Sequence, residues 1–264
     1  MSVEQPQNMI CLDKVNFSYE YGDPVLQDVS FCIPEGESRV IMGQSGSGKS
    51  TILKLLLGLY KPQSGQVYID DEPIGECSER HLGHVRKKMG MVFQDGALFD
   101  SLTVGENVGF YLIENSDLPI EEVEKRVRQM LDFVHLDESI IDKMPEELSG
   151  GMQRRVAIAR ALLATAPKIM LYDEPTTGLD PASVTRVLRL MDQLTREKNI
   201  ATIVVTHQFL DALTIADKFI LIDDGRVAFD GDLEELKNST EPQVTSFLEP
   251  FRASLKLMEE RQFS

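Results

Sequence analysis

Residues 43 to 51, GQSGSGKST, set Gly43, Gly48, Lys49 and Ser50 at the spacing G-x-x-x-x-G-K-S. An apolar run, SRVIMG, precedes them and a helical pattern, TILKLLLGL, follows, which is the context of a phosphate-binding loop. Gly43, Gly46 and Gly48 let the backbone curl so that successive N–H groups point inward, and the helix N-terminus adds the positive end of its dipole. The whole loop, with Gln44, Ser45, Ser47 and Thr51 included, is a candidate nucleotide contact. Lys49 is placed to reach the β- and γ-phosphates and the Ser50 hydroxyl to sit on Mg²⁺. A glycine-rich turn with an incidental lysine is the plain structural alternative. It leaves unexplained why every fixed position is filled between a strand and a helix.

A second chemical stretch, KIMLYDEPTTGLDP (168–181), ends an apolar run in paired carboxylates. Asp173 is expected to hold Mg²⁺ through water. Glu174, one residue on, is expected to point elsewhere because strand side chains alternate, and so to orient and deprotonate a water. An acidic strand end before a proline turn is the other account of these residues. Asp180 and Pro181 suit the N-cap and first turn of the next helix. A third stretch, LSGGMQRRVAIARALL (148–163), puts Ser149, Gly150 and Gly151 at a helix start, a second anion-binding terminus about a hundred residues beyond the first. One phosphate chain hardly needs two such ends from one subunit. Two chains meeting head to tail would bring the Ser149 end of one over the nucleotide on Lys49 of the other.

The elements that must position these groups alternate. SRVIMG, KIMLYD, ATIVVT and KFILID are each followed by turn residues or a helical pattern, which predicts a parallel sheet flanked by helices. MICLDKVNFSY and VLQDVSFCI alternate like half-buried antiparallel strands. Residues 101 to 165 read as mainly helical: Thr103 and Glu106 fit a capping box, and Ile120, Val123, Val127, Met130, Leu131 and Val134 keep helical spacing. The expected fold class is α/β, with a parallel core sheet, an antiparallel β subdomain and an α-helical subdomain over about 97–165.

Composition excludes several functions. The 264 residues include 43 acidic and 27 basic ones, a net charge of −16, and no basic cluster offsets it. Nucleic acid is therefore not an expected partner. Cys11, Cys32 and Cys77 are odd in number and outside any CxxC pair, which predicts reduced thiols in a cytosolic compartment. The N-terminus, MSVEQPQNMICLDK, lacks a basic start followed by an apolar stretch, so no signal peptide is expected. No apolar run approaches the ~20 residues of a membrane span.

GQSGSGKST, Gln94, LSGGM, LYDEP, GLD and TH, in this order and spacing from about residue 9 to about 235, resemble the nucleotide-binding subunit of ATP-binding cassette (ABC) transporters. The resemblance implies an ABC ATPase domain over 1–238 with a C-terminal helical extension over 239–264. It also implies ATP and Mg²⁺ as cofactors, an ATP-bound homodimer, and coupling to separate permease subunits from the cytoplasmic face of the inner membrane. By position, Tyr19 is similar to the aromatic that stacks on adenine, and Gln94 to the glutamine that links Mg²⁺ to the transport partner. Glu174 matches the catalytic base, Asp180 the residue that communicates across the dimer, and His207 the switch histidine near the γ-phosphate. Taken alone, Tyr19 reads as a strand residue and His207 as a hydrogen-bonded structural group. Met152 stands where most of the family has glutamine. Ser149 and backbone N–H groups should carry the phosphate contact, so activity is expected to survive this change. A manyfold rise in ATPase rate on Met152→Gln would end that expectation.

LSGGM together with FQDGALFDSLTVGENV resembles the ATPases of MCE-linked lipid transporters, the Mla type, which implies an MCE-domain partner and phospholipid cargo. Ala97, Leu98 and Phe99 fall where the family meets its permease; packing of Phe99 under its own helical subdomain is the alternative. ATPases for other solutes, nucleic-acid or ribosome-directed ABC ATPases, and a P-loop switch or kinase share the phosphate chemistry. The nucleic-acid class lacks its tandem cassettes and basic stretches here, and a switch has no need of LSGGM. Cys77, His81 and His84 have roughly ligand-like spacing without a fourth ligand, in a polar stretch that suits a solvated loop or helix. Val244, Phe247, Leu248, Phe251, Leu255 and Met258 recur at helical spacing around Pro250, for packing on their own domain or on a partner.

Overall fold

The computed structural model describes residues 7–20 and 22–256. Strands β1 (Asn8–Ser18) and β2 (Pro24–Pro34) pair antiparallel, and β3 (Ser38–Met42) then runs into the glycine loop and α1 (Lys49–Leu56). β4 (Ser64–Ile69) returns beside β1 with the short β5 (Glu72–Pro73) at its edge, followed by α2 (Glu79–Arg86) and β6 (Met89–Val92). Three helices fill the middle of the chain: α3 (Val104–Asn115), α4 (Ile120–Phe133) and α5 (Gly150–Thr165). β7 (Ile169–Asp173), α6 (Pro181–Lys198), β8 (Ala201–Val205), α7 (Phe209–Ile215) and β9 (Lys218–Asp223) complete the alternation. β10 (Arg226–Gly231), α8 (Leu233–Asn238), α9 (Pro242–Leu248) and a 3-10 turn at Glu249–Phe251 close it.

The strands form two sheets. One is antiparallel, in the order β2-β1-β4-β5. The other runs β10-β9-β3-β8-β7-β6, with β6 to β9 and β3 parallel and β10 antiparallel at the edge. Both faces of the larger sheet are covered, and the residues of its central strands alternate between two cores. Val40, Met42, Met170 and Tyr172 face α5, α6 and the helical subdomain, whereas Ile41, Ile169, Leu171 and Ile203 face the antiparallel sheet and α1. That double burial is why these strands read as unbroken apolar runs.

Local capping matches the sequence. Thr103 and Glu106 form the capping box of α3, with Glu106 N–H donating to Thr103 Oγ1 at 3.2 Å and Thr103 N–H to Glu106 Oε2 at 2.7 Å. Asp180 caps α6 with Pro181 in its first turn.

The cysteine reading is corrected. Cys11 and Cys32 are Cα partners on β1 and β2, 4.2 Å apart, and are joined by a disulfide; Cys77 is free. A separation of 21 residues carries no signal in the sequence, but antiparallel register brings the two side by side. Cysteine usage therefore gives no argument for a reducing compartment. Cys77, His81 and His84 point to different partners: Cys77 Sγ to the Pro73 carbonyl, His81 to Glu72, and His84 Nδ1 to the Arg80 carbonyl. The tail packs on its own domain, with Val244, Leu248 and Leu255 buried in the main core. Met258 lies outside the described residues.

Candidate active site

The loop between β3 and α1 has positive φ at Gly43 (+150°), Gly46 (+84°) and Gly48 (+101°), so its curl depends on residues without a Cβ. Lys49 is buried, and its Nζ donates to the carbonyls of Gly43 at 2.9 Å and Gln44 at 2.7 Å. Burial pushes its pKa below the ordinary lysine value, against the pull of Glu174 and Asp173. These two carbonyls engage two of the three N–H groups of the ammonium. Ser47 Oγ is buried without a partner.

Ser50 and Asp173 meet from α1 and β7, with Ser50 Oγ donating to Asp173 Oδ1 at 3.5 Å. Burial, and then the neighbouring Glu174 charge, raises the Asp173 pKa. Asp173 and Glu174 do turn to different partners, but the expected cause, strand alternation, is corrected. β7 ends at Asp173, and Glu174 already has φ +47°, a left-handed turn that costs a residue with a Cβ some strain. Both carboxylates line the same cavity.

Four donors converge on the Glu174 carboxylate. Oε1 accepts from the His207 N–H at 3.1 Å and pairs with His207 Nδ1 at 2.8 Å. Oε2 accepts from the hydroxyls of Thr177 and Thr206, each at 3.0 Å. Glu174 N–H is itself held by the Val205 carbonyl at 2.8 Å. Thr177 and Thr206 were not singled out from the sequence. Thr206 shares the TH pair with His207, but only the sheet order, with β8 beside β7, shows what it holds.

Lys49, Ser50, Asp173, Glu174 and His207 line a cavity of about 670 Å³, together with Gln94 after β6, Val25 on β2, and Tyr19. Tyr19 is 41% exposed, its hydroxyl lies 3.1 Å from Thr51 Oγ1, and its ring meets Phe17 and Tyr60 edge-on at 5.1 and 5.6 Å. The ring is thus held where a base could stack. Gln44, Ser45, Gly46, Ser50 and Thr51 line the cavity with Gly43, Gly48 and Lys49; Ser47 is not among them. The groups available to a metal ion are all oxygen: the Ser50 hydroxyl, the Asp173 carboxylate and the Gln94 amide. That set suits a small hard cation such as Mg²⁺.

Ser149, Gly150, Gly151 and Asp180 stand apart from the cavity. Ser149 Oγ caps α5 by accepting from Met152 N–H at 3.3 Å, and Asp180 Oδ1 accepts from Ala182 and Ser183 N–H, both at 3.0 Å. Hydrogen bonding from the Ser183 hydroxyl, and then from these N–H groups, holds the Asp180 carboxyl below the usual carboxylate range. The two caps adjoin each other. A Cβ at Gly151 would lie 2.4 Å from Ser183 Oγ, so the absence of a side chain there lets α5 and α6 touch. Met152 packs against the main core. It offers no polar group in place of a glutamine amide.

The sequence pattern of the ABC transporter family matches residues 26–177. The chain belongs to the ABC transporter family. It is 40% identical to the intermembrane phospholipid transport system ATP-binding protein MlaF of Haemophilus influenzae, over 92% of this chain and 90% of that protein. It is 38% identical to the energy-coupling factor transporter ATP-binding protein EcfA2 of Ligilactobacillus salivarius, over 89% and 86%. Among solved structures it resembles the dimeric ATP-binding cassette MJ0796 in a post-hydrolysis state bound to ADP and Pi. There the TM-score is 0.78 at 38% identity, over 85% of this chain and 99% of that one. This cassette binds ATP with Mg²⁺ and hydrolyses ATP as the ATPase subunit of a transporter. ABC cassettes dimerise and work with transmembrane permeases. Among the described residues, no helix is long and apolar enough to cross a membrane itself.

Proposed function

We propose that this cassette powers phospholipid movement between bacterial membranes as the ATPase of an Mla-type transporter, from the cytoplasmic face of the inner membrane. Its partners are a second copy, a permease and an MCE-domain protein. The observation that supports this reading is the match to MlaF along 92% of the chain, together with LSGGM and the FQDGALFDSLTVGENV loop. The cassette is taken to run over residues 1–238, with 239–264 as an appended segment.

The residues divide the work as follows. Lys49 and the backbone of loop 43–51 bind the phosphates, Tyr19 receives the base, and Ser50, Asp173 and Gln94 hold Mg²⁺. When bound, Mg²⁺ neutralises charge on the β- and γ-phosphates. Glu174 takes a proton from the attacking water, and His207 orients the Glu174 carboxylate. Ser149, Gly150, Gly151 and Asp180, displaced from this cavity, complete the partner's site across a dimer. Reciprocal coupling follows: a loaded permease also changes ATP turnover.

Loop 94–103 connects this chemistry to the permease. Asn107, fully buried, accepts from Phe99 N–H and donates to the carbonyls of Phe99, Leu102 and Thr103. Arg160 donates to the Gly96 and Ala97 carbonyls and lies 5.5 Å from the Phe99 ring. Leu98 packs inward on the core, contrary to its expected place at an interface, while Phe99 stays 43% exposed beside Phe110 at 4.7 Å. An apolar ring fixed outward on a rigid loop suits burial by a partner. Phe99→Asp is expected to leave ATP binding intact and remove stimulation by the permease. Loss of the fold, read by thermal melting, would instead make Phe99 a core residue.

Purifying the tagged chain with its membrane partners and reconstituting them into vesicles tests the cargo. ATP-dependent phospholipid transfer is expected. Transfer of a small solute with no lipid movement would favour the second reading, a solute transporter ATPase, which the EcfA2 match supports.

A further inference from the structure

Phe209 opens α7 two residues after His207, and it is 1% exposed. Two rings of the C-terminal segment hold it: Phe251 at 4.8 Å and Phe247 at 5.9 Å between centroids. Those rings also meet each other at 5.9 Å, and Phe219 of β9 lies 6.4 Å from Phe209. The segment that carries them is anchored by the buried Val244 and Leu248. It also borders the phosphate loop, since Gln243, Ser246 and Phe247 share a cavity of about 330 Å³ with Gly43 and Gln44.

His207 has little packing of its own. Its side chain is 59% exposed, and α7 is seven residues long with no side-chain cap at Gln208. A helix that short does not hold itself in place. Upstream, Thr206 is tied by its hydroxyl, which donates to Glu174 and accepts from Gln208 N–H. Downstream, the first buried side chain is Phe209, so, beyond its own hydrogen bonds to Glu174, the position of His207 depends on where that ring is held.

We propose that Phe247 and Phe251 are positioning residues for ATP hydrolysis: by clamping Phe209 they set the start of α7 and keep His207 against Glu174. This rests on the roles of Glu174 and His207 given above. The C-terminal segment is then part of the hydrolytic apparatus of its own chain. Removing the Phe251 ring leaves space into which Phe209 relaxes, and the imidazole shifts with it. A displacement of the order of 1 Å at a reacting group is enough to slow chemistry severely.

A double-mutant cycle on the full chain tests this. Phe251→Ala is expected to lower kcat about tenfold with KM for MgATP changed less than about twofold, while Phe251→Tyr, which keeps the ring, retains the rate. In a His207→Ala background, Phe251→Ala is expected to cost nothing more. If His207→Ala alone leaves kcat unchanged, the role of His207 fails and the clamp loses its purpose. If His207→Ala is crippling but Phe251→Ala multiplies the loss equally in both backgrounds, the rings act on general stability and the inference is overturned. Should Phe251→Ala not fold, Phe247→Ala at a half-buried position is read in the same cycle, with an unchanged kcat counting against the clamp.

Discussion

Glu174→Gln is expected to cripple ATP turnover and to leave the cassette trapped as an ATP-bound dimer. The substitution keeps the shape of the side chain, and the Gln amide oxygen still accepts from the His207 N–H that meets Oε1 at 3.1 Å. The hydroxyls of Thr177 and Thr206, which donate to Oε2, can rotate to accept from the new amide. Binding groups are untouched: Lys49, Ser50 and Asp173 reach the cavity from α1 and β7 independently of this carboxylate. What is lost is the base. General base catalysis contributes about 10² to 10⁴-fold, so the hydrolysis rate should fall by that factor. ATP affinity should stay within about tenfold, or roughly 1.4 kcal/mol, of wild type. Phosphate release measures the first, and light scattering in ATP measures the dimer. Hydrolysis at the wild-type rate would remove Glu174 from its role and leave Asp173 as the nearest other carboxylate.

The second large effect is steric. At Gly43 a Cβ would fall 2.2 Å from the Ile222 carbonyl oxygen and 2.7 Å from Ser47 Oγ, at a φ of +150°. A serine hydroxyl can rotate away, but the Ile222 carbonyl belongs to β9, pinned between β3 and β10. The loop must therefore give, since Gln44, Ser45 and Gly46 are exposed. Its displacement moves the Gly43 and Gln44 carbonyls that position Lys49. Gly43→Ala is expected to weaken MgATP binding about 100-fold, near 2.7 kcal/mol, while the far-ultraviolet circular dichroism stays native. Titration with a fluorescent ATP analogue checks it; affinity within twofold of wild type would mean the loop absorbs a methyl group.

Much of this site was legible because its signals are local. The phosphate loop, the Thr103–Glu106 box and the Asp180–Pro181 start of α6 each lie within a few residues, where backbone freedom and side-chain hydrogen bonds decide conformation. The central strands were legible for a different reason. Burial on both faces leaves them uniformly apolar, and β-branched residues favour the extended chain. The antiparallel strands were partly read: β1 and β2 show alternation, but β10, half-buried at the edge of the larger sheet, and the two-residue β5 carry too little pattern to stand out.

What the sequence by itself determined was the inventory and the class: a strand, a glycine loop and a helix for phosphate, a carboxylate pair at a strand end, and a second capped helix start for a partner's nucleotide. Tertiary structure decided which groups meet. Thr206 and His207 reach Glu174 because β8 lies beside β7, Thr177 joins them from three residues on, and the left-handed turn at Glu174, not strand alternation, aims the carboxylate. Register alone joined Cys11 to Cys32. The same holds for the loop at 97–99, where one neighbour of an apolar pair turned inward and the other outward, and for the tail, whose rings closed on Phe209. The physical reason is range. Propensities and caps act within a turn or two of chain, whereas contact between residues about 20 or more apart is set by how complete layers pack, and no short stretch of sequence encodes that.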